Sequence, residues 1–483
     1  MSTFELGRPI GIRARGATLR PTGTRPTTTH PTGSQQTRGR PTTHPTGSQQ
    51  TRARSMSARQ AATRPGADPQ TADRPAAHAG HRRKQARATW FAVAAALNAG
   101  LVAWSAGRGE LGSRAEQWSL AAFCLAVAAR HDGLVRGVFV LGRVVRSYRL
   151  HQLAYHLGQL HRALALAGVA WLAVAAALAV SSHPAIGLAS AAVLAILIAV
   201  AYTARDRVRQ VRHNRFESIH RLGGWAALGI LAVIVPLQAA GSLPPGSGVA
   251  GLIRQPSVVL LTVLVLLVAH PWLGVRRLPA EFLAVTADVV VVALPGRRQP
   301  GEFIRVSRDG REWHSFAVAT TGAEGDGRYC LVIRRAGDWT ERLASDAEHG
   351  RAPARLWVRR MRGYGFMYHA QAYRRVLMVA TGAGIGPVLP YLLDRTPVDF
   401  ECLWIGRSHH AAMGPVLVDR VLASGRVTLI DTAQGRPDVG ACVAAVARRF
   451  EAVFVVSNDA VRDSVARACE TLGVPWYGPT FDS

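Results

Sequence analysis

Six apolar runs, at about 89–106, 117–129, 152–182, 184–203, 217–240 and 255–273, dominate the chain between residues 89 and 273. Some twenty apolar residues in a helix match the hydrocarbon core of a bilayer, where a helix satisfies its own backbone. The second run is the weakest and reaches span length only with its flanking residues. The 483 residues are 48% hydrophobic and only 18% charged, with the charges gathered in blocks, which argues against a single globular domain. The fold class expected is therefore a multi-pass helical membrane domain of six helices, followed by soluble parts.

The connecting segments alternate in charge. RHDGLVRGVFVLGRVVRSYR and ARDRVRQVRHNR are densely basic, SSHPAIG and AGSLPPGSG carry no arginine, and GRGELGSRAE balances two arginines with two glutamates. The positive-inside rule then puts the basic loops and both termini in the cytoplasm of a multi-pass cell-membrane protein. A formal net charge of +28 would suggest nucleic acid if it formed one face. The arginines lie instead in the N-terminal tail and in loops, so the bilayer, not nucleic acid, is the expected partner. Residues 1–86 are rich in Thr, Pro, Arg and Gln, and HPTGSQQTR occurs at His30 and again at His44. Such a segment buries too little to order itself and reads as a disordered basic tail with no secretory apolar core; Met56 is an alternative start. The five cysteines show no paired spacing, which supports neither a disulfide framework nor a zinc site. Lys84 is the only lysine, which excludes Schiff-base chemistry in the folded part.

Two runs begin with His-Arg: His161 and Arg162 on the third, His220 and Arg221 on the fifth. One reading makes each pair an interfacial anchor with its arginine snorkelling to lipid phosphates. The other notes that two neutral imidazoles at equal depth on facing helices are the usual axial ligands of a b-type haem, with the arginines where propionates need cations. Gly223 and Gly224 remove side chains beside His220, as a flat macrocycle or a close helix contact requires. His156 precedes His161 by five residues, about 140° around the helix, so the two cannot face one partner. Depth favours His161, and His156 stays as its rival; with His220 these are the candidate metal ligands.

From about residue 276 the texture changes to short alternating strands, AEFLAVTADVVVVAL, GEFIRVSRDGREWHSFAVATT and YCLVIRRAGDWTERL. They predict a small antiparallel barrel over 276–373, after a membrane domain at 87–275. RRVLMVATGAGIGPVLPYLL then reads as a buried strand, a glycine turn and a helix start, and the strands ECLWIGRS, VTLIDT and AVFVVSND follow at helical separations. That pattern predicts a parallel α/β domain over 374–483. Gly382, Gly384 and Gly386 either let the backbone approach a dinucleotide pyrophosphate or serve packing. Arg407 and Ser408 end the second strand, where an adenosine ribose and its 2′-phosphate fall, although a solvated arginine suits that position equally.

In this order, six runs with histidines on the third and fifth, then EWHSFAV, IRRAGDWT, VATGAGIGP and GRPDV, the chain resembles the ferric reductase and NADPH oxidase superfamily with its ferredoxin-reductase-like tail, over about 89–483. The resemblance implies FAD binding at an HPFT-like motif, here His314, Ser315 and Phe316, with Ser315 in place of the proline. It implies flavin pyrophosphate contacts from Arg334, Gly337, Asp338, Trp339 and Thr340. It implies nicotinamide dinucleotide contacts from Thr381, Gly382, Gly384 and Gly386, and Phe481 as the aromatic that covers the flavin; Trp476 and Tyr477 read as core residues. FExxHRxGGW points within the superfamily to membrane oxidoreductases associated with adenylate-forming proteins of the nonribosomal peptide synthetase type. Two departures stand out. The family's late CGP motif corresponds to Val456–Asn458, and the positions of a second histidine pair are Val174 or Ala175 and Val233 or Ile234, which leaves an outer haem without ligands. The implied cofactors are FAD, NAD(P)H and a single haem b, with electrons passing on to a quinone, a lipophilic substrate or a partner enzyme. The alternative is a catalytically weak membrane redox sensor or scaffold.

Overall fold

The computed structural model describes residues 74–323, 327–394 and 396–479; most of the expected tail, and Phe481, lie outside them. The first half is helical: α1 (Arg74–Gly107), α2 (Leu111–Ala128), α3 (Asp132–Val144), α4 (Tyr148–Ser182), α5 (Pro184–Thr203), α6 (Asp206–Val211), α7 (His213–Gly241), α8 (Gly248–Ile253) and α9 (Pro256–Ala269). The helix α1 begins inside the stretch expected to be tail, with Pro75 in its first turn and the helix formers RRKQARA beyond. The six apolar runs fall on α1, α2, α4, α5, α7 and α9. Four segments are long and apolar enough to cross a membrane: Thr89–Gly107, His156–Ser181, Pro184–Thr203 and Asn214–Gly241. The other two fall short of the expected six. Arg114 and Glu116 interrupt the start of α2, and the 14 residues of α9 make about 21 Å of helix against a core of about 30 Å.

Five of these helices close a ring in which α2 packs on α4, α4 on α5, α5 on α7, α7 on α9 and α9 back on α2. Small residues allow the approach. A Cβ on Gly168 of α4 would come within 2.6 Å of Phe123, and one on Gly223 of α7 within 2.9 Å of Val200. Leu120, Leu172, Val193, Leu231 and Leu261 fill the ring's core. The helix α1 attaches outside, where Trp171 Nε1 donates to Asn98 Oδ1 at 2.6 Å.

The stretch read as a basic loop is the amphipathic helix α3, with Asp132 in its first turn and Arg143 in its last, the charges its dipole favours. Its Val135, Phe139 and Val140 pack with Tyr364 and Tyr368 of the second half. Arg136 lies over the Tyr364 ring at 5.1 Å and Arg143 over Tyr368 at 4.5 Å. Arg143 Nη1 also donates to Gln371 Oε1 at 2.7 Å, and Asp132 pairs with Arg305. This helix is a joint between the two halves. A second tie runs from the first residue of α4: Tyr148 Oη donates to the Trp476 carbonyl at 3.3 Å, and its ring meets Tyr477 at 5.4 Å.

The strands β1 (Val275–Pro279), β2 (Glu281–Val285), β3 (Val289–Pro295), β4 (Glu302–Ser307), β5 (His314–Thr320), β6 (Arg328–Arg334), β7 (Arg355–Arg359) and β8 (Gly363–Tyr364) form one sheet. Its order is β1-β7-β4-β5-β6-β3-β2, with β8 on β4, and every pairing is antiparallel. The sheet wraps one core of Val290, Val292, Leu331, Ile333 and Leu356, into which α10 (Asp338–Glu348) inserts Trp339 and Leu343. Among the described residues β1 and β2 do not pair with each other, so the expected barrel has an open seam.

The last domain is a parallel sheet of β9 (Arg375–Thr381), β10 (Asp399–Gly406), β11 (Val427–Asp431), β12 (Ala452–Val456) and β13 (Trp476–Tyr477), in the order β11-β10-β9-β12-β13. Helices α11 (Leu389–Leu393), α12 (His409–Met413), α13 (Pro415–Ala423), α14 (Val439–Val446) and α15 (Asp459–Leu472) alternate with the strands. Met378 and Ala380 enter one core, Leu377 and Val379 the other, so β9 is covered on both faces and reads as an unbroken apolar run. The strand order reverses between β9 and β12, which opens a crevice at their carboxyl ends.

Candidate functional site

On β5, strand alternation turns Ser315 to the exposed face while His314 and Phe316 share the other. There they meet Trp339, with ring centroids 4.6 Å and 5.8 Å apart. Trp339 is itself buried, so it forms the wall behind the two rings. His314 Nε2 lies 2.9 Å from Glu312 Oε1. The segment expected as a strand and turn ends instead in a helix start, because Gly337 caps α10. Thr340 Oγ1 accepts from the Ala336 and Gly337 amides at 3.0 and 3.1 Å and donates to the Gly337 carbonyl at 3.0 Å. That hydroxyl locks the turn from inside, and the turn exposes Gly337 and Asp338. Arg335 is held by Glu341 and Glu348, whereas Arg334 is exposed without an ion pair among the described residues.

The glycine turn packs against β5 and β6, which brings the two soluble sheets together. The expected glycine turn is a 3₁₀ turn, Gly382–Val388, and the helix that starts after it, α11, is five residues long. Gly382 has φ +50, and a Cβ on Gly384 would lie 2.5 Å from the Val456 carbonyl oxygen, so Gly384 serves the close packing of the turn on β12. Gly386 makes only ordinary contact with Val332. Trp404 Nε1 donates to the Gly382 carbonyl at 3.0 Å, and Thr381 Oγ1 lies 2.7 Å from Ser457 Oγ across the crevice. Asn458 Oδ1 accepts from the Val461 amide at 3.0 Å as the cap of α15. Arg407 and Ser408 lie exposed just beyond β10. The Ala433 and Ser408 amides donate to the Asp431 carboxylate and hold it below the ordinary carboxylate range. Tyr477 is buried, stacks on Phe454 at 4.5 Å and meets the Tyr373 hydroxyl, as a core residue does.

A cavity of about 780 Å³ opens within the helical ring, and His161 and His220 both line it. Their ring centroids stand 6.3 Å apart. His161 Nδ1 lies 2.8 Å from the Ala126 carbonyl, which fixes the proton there and leaves Nε2 as a free electron-pair donor. His156 instead packs on Trp90 at 6.2 Å and is absent from the lining. A Cβ on Gly224 would meet nothing within 4 Å, so the two glycines divide their work: Gly223 for helix contact, Gly224 for open space. Among the described residues no group of three or more His, Cys, Asp or Glu is placed to hold a metal ion. The lining includes Arg162, Arg205, Arg221 and Arg359 and, among the described residues, no carboxylate.

Sequence reasoning missed how the cavity joins the soluble half. Trp225 and Trp272 line the cavity with centroids 6.3 Å apart, and Trp272 meets Trp313 at 6.0 Å, one residue before His314. Arg359, at the end of β7, reaches the same cavity. The only signal was Trp313 inside EWHSFAV; nothing in WVRRMR marks Arg359.

A family model for the C-terminal domain of adenylate-forming reductase 03009 matches residues 366–483. Adenylate-forming reductase 03009 of Coprinopsis cinerea is 28% identical over 415 residues, 81% of this chain. Adenylate-forming reductase 06235 of the same organism is 28% identical over 345 residues, 68% of this chain. The chain spans 40% and 33% of the lengths of these relatives. Among solved structures, phthalate dioxygenase reductase aligns over 42% of this chain and 68% of its own, with 16% identity and a TM-score of 0.34. A ferredoxin NADP+ reductase from Neisseria gonorrhoeae, solved with FAD and NADP bound, aligns over 42% of this chain and 98% of its own, with 11% identity and a TM-score of 0.34.

Proposed function

We propose that this chain is a membrane-bound NAD(P)H oxidoreductase that passes electrons through FAD to one b-type haem in the helical cavity, near the cytoplasmic face. A quinone, a lipophilic substrate or a partner enzyme at that face then receives them. The carrying observation is the facing pair His161 and His220 in one cavity, walled by the tryptophans that continue to His314. The cavity is of ligand size, the two imidazoles would supply nitrogen donors to a metal, and the arginines that line it would suit a dicarboxylate edge. When bound, FAD converts the two-electron chemistry of nicotinamide into single electrons that haem accepts.

The residues then have distinct tasks. His161 and His220 would hold the iron, with Ala126 orienting His161 through its carbonyl. His314 and Phe316, backed by Trp339, would carry the flavin ring, and Gly337 with the first turn of α10 would meet its phosphates. Thr381 and the Gly382 turn would seat the nicotinamide dinucleotide in the crevice, with Arg407 toward the 2′-phosphate. The two relatives are reductases by name, which supports the reaction class.

The second reading, a redox sensor or scaffold with little turnover, is favoured by one feature: Val456 stands where the resemblance places a cysteine. Purified full-length protein in nanodiscs, assayed for FAD, haem and NAD(P)H oxidation with ferricyanide, tests both. The electron-transfer reading expects about one haem and one FAD per chain and haem reduction by NAD(P)H without oxygen. Both cofactors with negligible turnover would favour the sensor; neither cofactor would sink the proposal.

A further inference from the structure

Arg359 is the last residue of a soluble strand, yet it lines the membrane cavity. Its guanidinium lies in the corner of two perpendicular indoles, 4.2 Å from the Trp272 centroid and 4.8 Å from that of Trp313. Its Nε is buried with no hydrogen-bond partner. The charged groups that face it are Arg305, Asp132 and Arg221. Asp132, the one carboxylate, pairs with Arg305, and Arg221 Nη1 donates to the Arg311 carbonyl. Arg162 on the cavity wall has Asp206 at 3.1 Å. Arg359 has no such partner among the described residues. Burial first, then its arginine neighbours, push its acidity up, to a pKa of about 10. A half-buried cation whose Nε is buried without a partner calls for an anion. An arginine fork stacked on aromatic rings is well suited to present two N–H groups to a carboxylate or phosphate.

We infer that Arg359 binds the acidic edge of the cavity's ligand, so that the soluble sheet and the helical ring grip one molecule from both sides. The inference rests on the haem reading for that ligand's identity: the anion is a carboxylate of the macrocycle. The phosphate of an anionic lipid headgroup shares the chemistry, and the experiment separates the two. On this account the two histidines hold the metal, while Arg359 sets the orientation and potential of the group and ties it to the sheet that carries the proposed flavin site.

The test uses the full chain, wild type and Arg359→Gln and Arg359→Lys, in nanodiscs of phosphatidylcholine alone and with added phosphatidylglycerol. FAD content, haem content, haem midpoint potential and the rate of haem loss to apomyoglobin are measured. Arg359→Gln should keep FAD and haem, lose haem faster by about tenfold or more, and have a more negative potential, because a cation that favours the reduced state is gone. Arg359→Lys should recover the potential but not the retention, since lysine restores charge without the fork. Unchanged potential and retention in a haem-loaded Arg359→Gln protein would overturn the inference while leaving the proposed function standing. An effect seen only with phosphatidylglycerol would assign the anion to a lipid and overturn it as well. A wild-type protein without haem would remove the proposed function, and this inference with it.

Discussion

Thr381 Oγ1 and Ser457 Oγ lie 2.7 Å apart and join the carboxyl ends of β9 and β12 where the strand order reverses. The bond fixes the mouth of the crevice, with Ser457 buried beneath it. Ser457→Ala and Thr381→Val should each weaken nicotinamide binding by about 1 kcal/mol, near fivefold in KM. The double variant should lose little more than either single one, because both remove the same bond. Steady-state kinetics with NADH and NADPH check this, and additive losses would dissolve the pair.

The cavity histidines give a sharper contrast. His161→Ala and His220→Ala should each reduce haem from about one per chain to almost none while FAD stays bound, since the proposed flavin site belongs to the other half. His156→Ala should leave haem content near wild type, because its ring packs on Trp90 away from the cavity. Pyridine haemochrome assay and flavin fluorescence on each purified variant supply the two counts. A haem-free His156→Ala beside a haem-loaded His161→Ala would reverse the assignment.

Arg407→Ala should raise KM for NADPH by about tenfold or more and leave KM for NADH nearly unchanged, the loss of a charged contact to a 2′-phosphate. Its exposure beyond β10 means that the substitution should not alter thermal stability. Equal changes for the two nucleotides would return Arg407 to a solvated role.

Acid should loosen the soluble half through His369. Burial, and then Arg143, push its pKa down from 6.5 to about 4, so it stays neutral when folded. Above pH 6.5 it has no effect on stability. Between pH 6.5 and about 4 the unfolded chain binds a proton that the folded chain does not, so stability falls as pH falls, by up to about 3 kcal/mol. His369→Phe keeps a ring against Phe139 and Tyr477, 5.2 and 5.7 Å from the present imidazole. Thermal melts of full-length protein at pH 7 and pH 5 should show a smaller acid shift in the variant.

What the sequence made legible was local. A strand ending in TGAGIGP, and His-Arg at the start of two apolar runs, need only neighbours a few residues away to be read. The joint between the halves was hidden, because the partners of α3 are far along the chain: Arg143 meets Gln371, 228 residues later. Its helical period was present in Val135, Phe139 and Gly142, masked by the interleaved arginines. The GDWT turn holds a further task that its sequence does not announce: the hydroxyl of Thr340, expected as a ligand contact, closes the turn on Ala336 and Gly337. Arg359 left no local trace, since its meaning comes from Trp272 and Trp313 on other elements.

The hydrogen bond from Tyr148 to the Trp476 carbonyl makes α4 a rigid lever. Thirteen residues, about 20 Å of helix, separate its latched end from His161. Were nucleotide in the crevice to displace β13, the shift would be carried, without a flexible loop between, to the wall of the cavity. Any energy so transmitted acts equally in reverse: a cavity that holds its ligand more tightly with nucleotide present must hold nucleotide more tightly when the ligand is seated.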